Sequence, residues 1–305
     1  MQKKYYSLIA VVLTAIIGFC LKGNVGDDPA EAEEAALSNG STEELVLESD
    51  ADEDFQSADG ELSVHYSSLE IPTQGPDHHM RIEHTGYTLS YDTLNHTPFW
   101  VAWELTSEET RGRVARAEEF LEDPSVPAHH AVRPSTYSGS GYSRGHMCPA
   151  GDQKWSHEAM NESFYMTNMC PQTFQLNNYW WDWLERAERQ WAQEEGRVYI
   201  VCGPIYDSNR KVDNLGRKNF FVGVPHRFFK VILSTRPGHE KALAFIYRND
   251  DSEQLLPDAL TSVDQVERIT GFDFFAPLED KLETRIEAHS DLSAWGNVPQ
   301  PEWDY

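Results

Sequence analysis

The sequence predicts an α+β fold in which a largely antiparallel central sheet is flanked by helices. Strand-like and helix-like segments follow one another without the regular alternation of strand and helix that builds a parallel sheet. Turn-forming residues at 95–98 join two strand-like segments, which is typical of an antiparallel hairpin. The chain has 305 residues, of which 40% are hydrophobic and 12% are aromatic, so it can bury a substantial core.

The predicted strands are short apolar or alternating runs that are bounded by turn-forming residues. Two of them form the hairpin around the 95–98 turn, and Gly203 and Pro204 are expected to stop the strand that precedes them. The predicted strands are residues 86–92, 99–105, 164–169, 198–202, 228–233 and 242–247.

Helices are predicted where apolar residues share a segment with many charged ones. The longest is residues 177–195, in which tryptophans mix with charged residues before Gly196 ends the helix. Residues 261–269 and 278–289 are also predicted helices. The charged segment 107–122 permits a helix as far as the proline-containing loop that follows it.

The N-terminus has the pattern of an export signal. Lys3 and Lys4 precede a nearly unbroken apolar run over residues 8–21, and a basic start followed by about 7–15 apolar residues is the signature of a secretory signal peptide. Residues 1–22 are therefore interpreted as a signal peptide or an N-terminal anchor, and Cys20 stands where a bacterial lipoprotein carries its lipid. We expect an exported protein that is periplasmic, extracellular or membrane-anchored.

Residues 23–61 are predicted to be a disordered acidic linker. They contain fourteen Asp and Glu, no Lys or Arg, and one aromatic residue, Phe55. A segment of this composition cannot bury enough apolar surface to offset its ordering entropy. A solvated tether is the simplest interpretation, and a site for a specific ligand is the alternative. The globular domain is then residues 62–305.

The charge of the whole chain does not describe its central part. The formal net charge is −25, which by itself argues against a protein that binds nucleic acid, because phosphate contacts need a positive surface. Residues 130–250, however, contain fifteen Lys and Arg against twelve Asp and Glu. Several of these basic residues could form a patch that contacts a phosphate backbone, and the alternative is that they are ordinary surface charge. They are the Lys and Arg at 210, 211, 217, 218, 227 and 230.

Three familiar chemistries are excluded by spacing. The glycines of residues 139–145 do not have the spacing of a dinucleotide-binding fingerprint. His157 and Glu158 are followed by Asn161 where a zinc-protease helix needs a second histidine. The chain has no Cys-x-x-Cys pair.

The polar segment between residues 143 and 189 collects side chains that suit hydrolysis. It offers a cation at Arg144, a base at His146, neutral oxygen ligands at Asn168 and Asn177, and a carboxylate at Glu185. On a regular helix, positions 177, 181 and 185 share one face, so Asn177 and Glu185 can reach the same space. Bland alternatives remain: a lone histidine is often structural, and Glu185 can be the i,i+4 partner of Arg189.

These residues also match the motifs of a known family. Arg144-Gly145-His146 fits the motif Asp-Arg-Gly-His, with Ser143 in place of the aspartate. The segment from Asn168 to Asn177 fits Asn-x-x-Pro-Gln-x-x-x-x-Asn, and Glu185 follows eight residues later. The sequence thus resembles the DNA/RNA non-specific endonucleases of the ββα-metal superfamily over residues 80–290. The resemblance implies an α+β fold that contains a ββα-metal active-site motif.

The resemblance also implies a role for each matched residue. His146 would be the general base and Asn177 the protein ligand of a hydrated Mg²⁺, with Mn²⁺ or another divalent cation as an alternative. Glu185 would orient the metal-bound waters, and Asn168 would hold His146 in register. Arg144 would stabilise charge on the phosphate, and Arg189 could add a second cation.

The implied function is metal-dependent, sequence-non-specific hydrolysis of phosphodiester bonds in DNA or RNA. Two alternatives are a catalytically weak surface protein that binds polyanions and a metal-dependent phosphoesterase that acts on small phosphates. The oligomeric state stays open. Because the family brings their segments together, Cys148 and Cys170 are expected to form a disulfide, while Cys202 is interpreted as a small buried hydrophobic residue.

Overall fold

A computed structural model of the chain describes residues 68–73, 80–217 and 220–298. The segments 1–22 and 23–61, interpreted above as a signal or anchor and as a linker, lie outside the described residues. Within the described residues, none of the helices has the length and apolar character that crossing a bilayer requires.

The strands are numbered in chain order. They are β1 (Met80–Glu83), β2 (Thr88–Asp92), β3 (Thr97–Thr106), β4 (Ser143–His146), β5 (Met169–Gln172), β6 (Arg197–Ile205), β7 (Asp213–Arg217), β8 (Phe220–Val224), β9 (Arg227–Ser234), β10 (Lys241–Arg248) and β11 (Leu260–Thr261).

In the described part of the chain, five α-helices accompany these strands. They are α1 (His157–Glu162), α2 (Trp181–Glu195), α3 (Leu256–Ala259), α4 (Val263–Thr270) and α5 (Asp280–Glu287).

A seven-stranded sheet dominates the structure, in the order β1-β2-β3-β6-β9-β10-β11. Every neighbouring pair in it is antiparallel. Two smaller antiparallel sheets, β4-β5 and β7-β8, accompany it. The predicted α+β class with a largely antiparallel sheet is therefore confirmed.

Both faces of the large sheet are buried, each against a different set of helices. Along β6, Val198, Ile200 and Cys202 join a cluster that contains residues of α2. The alternate residues Tyr199 and Val201 join a second cluster that contains residues of α4 and α5. This two-residue alternation is what a strand imposes on its side chains. The sheet thus separates an α2 face from an α4–α5 face.

Two predictions of local structure are wrong, and a helix that the sequence permitted does not form. Residues 107–122 are not a helix. Apart from the 3₁₀ turn Glu109–Arg111, they have no regular helix, and Leu121 forms an isolated β-bridge with Tyr165. The predicted strand 164–169 is largely a 3₁₀ turn, and the strand β5 begins only at Met169. The strand β6 continues through Gly203 and Pro204 because its pairing with β9 extends to Ile205.

The predicted helix 177–195 is present, but its first turn is not α-helical. Residues Leu176–Trp180 form a π-helical turn, and the α-helix begins at Trp181 and ends before Gly196 (φ 85°). The π-turns inside helices occur frequently at functional sites. The turn matters here because Asn177 lies within it.

Candidate active site

The β4–β5 hairpin carries the first motif. His146 pairs with Met169 and Gly145 with Cys170. A Cβ at Gly145 would lie 2.0 Å from Oε1 of Gln172, a fully buried side chain, so the hairpin needs glycine at this position. The glycine allows the two strands and Gln172 to approach closely enough to hold the histidine that follows.

His146 lies at the end of β4 and is only 8% exposed. Its ring packs edge-to-face on Phe164, with ring centroids 4.8 Å apart, and contacts Phe120 at 5.6 Å. Its backbone carbonyl accepts a hydrogen bond from Nε1 of Trp181 at 3.2 Å. The ring atom Nε2 has no hydrogen-bond partner among the described residues.

Burial keeps the imidazole of His146 neutral. Desolvation, reinforced by the positive charge of Arg116, lowers the pKa of His146 from 6.5 to about 3. The side chain therefore carries a free nitrogen lone pair at every physiological pH. A neutral imidazole offers a nitrogen lone pair that can accept a proton.

Asn168 holds the chain just after His146. Its Oδ1 accepts a hydrogen bond from the Cys148 backbone N–H at 2.9 Å, and its Nδ2 donates to the carbonyls of Cys148 (2.9 Å) and Ser163 (2.8 Å). The side chain is fully buried. The backbone carbonyl of Asn168 also accepts from Met147 N–H at 3.0 Å. These contacts suit a residue that positions the histidine rather than one that contacts substrate.

The second and third motifs face His146 across a cleft of about 460 Å³. Asn177 from the π-turn and Glu185 from α2 both line this cleft, as do His146 and Arg144. Trp181, expected on the same helix face, is instead buried at 1% exposure beneath His146. The structure thus brings together four of the six predicted site residues.

Glu185 lies close to a set of buried charges. Burial raises its pKa from 4.5 to about 7, although the positive charges of Lys230 and Arg189 oppose the shift. A nearby cation would stabilise the ionised form of such a buried carboxyl group, because it offsets the free-energy cost of burying the negative charge.

Arg144 reaches the cleft from β4. Its Nη2 and Nε donate to the carbonyl of Pro134 at 2.8 and 3.3 Å. The guanidinium also lies 5.0 Å from the ring centroid of Phe120, in cation–π contact. These contacts fix the orientation of the arginine at the cleft wall.

Arg189 has a different place from the one predicted. It is not among the residues that line the cleft, and its Nη1 donates to Oδ1 of Asp152 at 2.9 Å. Asp152 is fully buried and also accepts from Nε1 of Trp103 at 3.1 Å. Arg189 therefore balances a buried carboxylate beside Glu185 rather than presenting its charge to the cleft.

Two other arginines line the cleft and were missed by the sequence analysis. Arg116 comes from the irregular segment after Arg111, and Arg186 comes from α2, where it pairs with Asp182 at 2.8 Å. Arg186 could have been found, since it follows Glu185. Arg116 carried no signal because it lies in a charged segment without a motif, which permitted a helix.

Only some of the basic residues between positions 210 and 230 are free to contact a phosphate backbone. Lys230 is fully buried on the α2 face, with its Nζ 2.6 Å from Oε2 of Glu188, and cannot contact a phosphate backbone. Arg227 pairs with Asp207, and Arg210 lies 3.7 Å from the same carboxylate. Lys211 is exposed, and position 218 lies outside the described residues.

The expected disulfide is absent. Cys148, Cys170 and Cys202 are all free and fully buried. Sγ of Cys148 accepts a hydrogen bond from Nε2 of Gln153 at 3.1 Å, while the Cys202 thiol donates to the carbonyl of Met147 at 3.3 Å. Burial raises the pKa of each thiol, so all three behave as small core residues.

Comparison with known proteins gives the family. The DNA/RNA non-specific endonuclease family matches residues 68–281. This chain belongs to that family. The match includes both strands of the β4–β5 hairpin, the π-turn and α2, and so covers the whole cleft.

Individual relatives of this chain are nucleases by name. The mitochondrial nuclease EXOG of Danio rerio is 36% identical over 210 residues, which are 64% of this chain and 61% of that protein. Mitochondrial endonuclease G of Homo sapiens is 32% identical over 200 residues, 62% of this chain and 67% of that one. The chain spans about three fifths of the length of the EXOG nucleases it matches.

A solved structure agrees with this family assignment. The complex of EndoG with EndoGI matches with a TM-score of 0.62 and 30% identity, over 66% of this chain and 88% of that one. The prediction of an exported protein is wrong, because EXOG, endonuclease G and a related yeast nuclease are mitochondrial by name and point to mitochondria instead.

The cleft fits a divalent cation of the kind on which the family depends. It presents the amide of Asn177, which can bind such an ion directly, and the carboxylates of Glu185 and Asp182, which can accept hydrogen bonds from its water shell. Hard oxygen groups of this kind are the ones that Mg²⁺ and similar ions prefer. Because oxygen atoms would hold the cation, the ion does not need the imidazole of His146 as a ligand. The Nε2 of His146, which has no hydrogen-bond partner among the described residues, then stays available as a base.

The buried, neutral His146 gives the folded protein a specific acid sensitivity. An unfolded chain protonates His146 below pH 6.5, whereas the folded protein resists protonation down to about pH 3. Stability is therefore fully present above pH 6.5 and is lost as the pH falls. At 1.36 kcal/mol per pH unit, the metal-free wild type should lose about 2 kcal/mol more than His146→Gln between pH 6.5 and 5.

Urea unfolding of both proteins at several pH values measures this difference. Glu185 acts in the opposite direction, because its raised pKa makes stability fall as the pH rises from about 4.5 to about 7. It is present in both proteins, so its contribution largely cancels. Parallel pH profiles for the two proteins would mean that His146 is solvated.

Proposed function

We propose that this protein is a divalent-metal-dependent, sequence-non-specific endonuclease that hydrolyses phosphodiester bonds in DNA or RNA. One observation carries the proposal: His146, whose Nε2 has no hydrogen-bond partner among the described residues, lines the same cleft as the oxygen groups of Asn177 and Glu185 and three arginines. A base, a cation site and a positive wall are what phosphodiester hydrolysis requires.

Each residue then has a distinct task. Hydrolysis forms a bond between a water oxygen and phosphorus and breaks the bond from phosphorus to the 3′ oxygen. His146 accepts the proton of the attacking water at Nε2. Mg²⁺ held by Asn177 would supply charge neutralisation on the phosphate and the leaving oxygen. Glu185 accepts hydrogen bonds from water in the cleft.

The remaining residues bind or position. Arg144 donates to phosphate oxygens, and Arg116 and Arg186 add positive charge at the same cleft. Asn168 keeps His146 in register through the backbone of Cys148. Arg189 stabilises Asp152 beneath Glu185. These contacts address phosphates rather than base edges, so little sequence preference follows.

Incubation of the purified protein with plasmid DNA and with RNA tests the proposed function. With Mg²⁺ both substrates should be cut at many positions, and with EDTA neither should be cut. Binding without cleavage in Mg²⁺ or Mn²⁺ would identify a polyanion-binding protein instead. Hydrolysis of small phosphate esters alone would identify a phosphoesterase.

We further propose that residues 62–305 form the nuclease domain and that residues 23–61 are an acidic linker. The family match over residues 68–281 lies within this domain. Deleting residues 1–60 is therefore expected to leave turnover on a short duplex unchanged within about twofold, because the linker contains none of the chemistry. Turnover is compared per folded molecule, judged by circular dichroism. A loss of most activity in a folded truncated protein would give the N-terminal segment a direct role.

A further inference from the structure

Three carboxylates meet on the side of the sheet that lies opposite α2. Asp264 and Glu267 project from α4, and Glu287 projects from α5. One oxygen from each lies within 4.8 Å of the other two. Both helices belong to the α4–α5 face of the sheet, whereas the catalytic cleft is built on α2 and the β4–β5 hairpin.

The surroundings of these carboxylates are acidic. The four strongest charged neighbours of Glu287 are all carboxylates: Glu267, Glu283, Asp264 and Asp273. Glu283 and Glu287 are also an i,i+4 pair on α5, and like charges at this spacing destabilise a helix. The repulsion is relieved when either a proton or a cation lies among the carboxylates.

Glu287 gives an independent sign of a ligand. Its side chain is only 5% exposed, and its Oε1 is buried with no hydrogen-bond partner among the described residues. Leaving a buried carboxylate oxygen unpaired costs free energy that a folded protein normally avoids. Together with its repelling neighbours, burial raises the pKa of Glu287 to about 9.

We propose that Asp264, Glu267 and Glu287 bind a structural divalent cation of the calcium type that joins α4 to α5. Ca²⁺ takes six to eight oxygen ligands at about 2.4 Å in flexible geometry. Ligand oxygens that lie within 4.8 Å of one another can therefore surround one ion. The remaining positions would be filled by the second carboxylate oxygens and by water.

The site is partly preorganised by the backbone. Oε1 of Glu267 accepts a hydrogen bond from the Phe274 N–H at 2.9 Å. The side chain of Ser262 caps α4 by accepting from Gln265 N–H at 3.2 Å. One carboxylate is thus fixed in place, and the helix that carries two of the three ligands is anchored at its start.

Thermal unfolding of the full-length protein in Ca²⁺ and in EDTA tests this proposal. At a Ca²⁺ concentration about 100 times its dissociation constant, the melting temperature should rise by about 5–10 °C. Glu287→Gln, which keeps the shape and removes the charge, should abolish most of the rise. Asp264→Asn, at a half-buried position, provides a second variant if the first fails to fold.

Two controls separate this site from the cleft and from general charge effects. Asn177→Ala removes the proposed ligand of the catalytic cation and should keep the Ca²⁺-dependent rise. Glu253→Gln removes an exposed carboxylate elsewhere and should also keep it. Glu287→Gln should retain nuclease turnover in Mg²⁺, so failure of this site does not imply failure of the proposed activity.

The proposal is overturned if millimolar Ca²⁺ leaves the wild-type melting temperature unchanged. It is also overturned if the rise persists in Glu287→Gln and disappears in Asn177→Ala, because the ion would then lie in the catalytic cleft.

Discussion

Replacing His146 with alanine is expected to lower turnover on a short DNA duplex by about 10²–10⁴-fold, the usual contribution of a general base. The loss follows because Nε2, the proposed proton acceptor, is removed while the arginines and oxygen ligands of the cleft remain. Turnover is measured per folded molecule at saturating Mg²⁺ and well below the melting temperature.

His96 offers a matched control for this variant. It is also 8% exposed, and its Nδ1 lies 2.8 Å from the carbonyl of Phe221, outside the cleft. His96→Gln should lower the melting temperature and retain specific activity. If His146→Ala instead loses stability but keeps its turnover, His146 is a structural core residue and the proposed mechanism fails.

Asn177→Ala should abolish activity at every accessible Mg²⁺ concentration, whereas Glu185→Gln should be partly rescued by more Mg²⁺. The first change removes the only side chain to which we assign direct metal binding. The second keeps the size of the side chain and one acceptor oxygen but removes a charge that attracts the cation. Changes to groups that act through metal-bound water typically cost about 10–100-fold in metal affinity or activity.

A magnesium titration of both variants decides between these two tasks. Asn178→Ala is a neighbouring control, because Asn178 also lines the cleft but hydrogen-bonds to the carbonyl of Phe174 at 3.0 Å, and it should stay within about tenfold of wild type. Equal rescue of Asn177→Ala and Glu185→Gln would contradict a single direct protein ligand.

The parts of the fold that the sequence predicted are those in which local pattern and tertiary context agree. The β2–β3 hairpin, β6, β9 and β10 carry continuous or alternating apolar residues, and the sheet uses both patterns because both of its faces are buried. The short strands β4, β7 and β8 were missed. Strands β4 and β7 consist mainly of glycine and polar residues and are held by pairing rather than by intrinsic preference.

The cleft was predicted in part for a related physical reason. Motif spacing located His146, Asn177 and Glu185, but spacing does not show which charges are already paired inside the protein. Arg189 is held by Asp152, and Lys230 by Glu188. Both would have been counted as available cations from sequence alone, whereas Arg116, from a segment with no regular structure, is available at the cleft.

The π-turn at Leu176–Trp180 has a consequence for insertions and deletions in this helix. A π-turn contains one residue more than the α-helical turn that it replaces, and one residue corresponds to about 100° of rotation around the helix axis. Deleting a single residue from the turn would therefore leave a continuous helix but rotate Asn177 away from Glu185. Chain length at this point, as much as residue identity, determines whether the two side chains can share one ion.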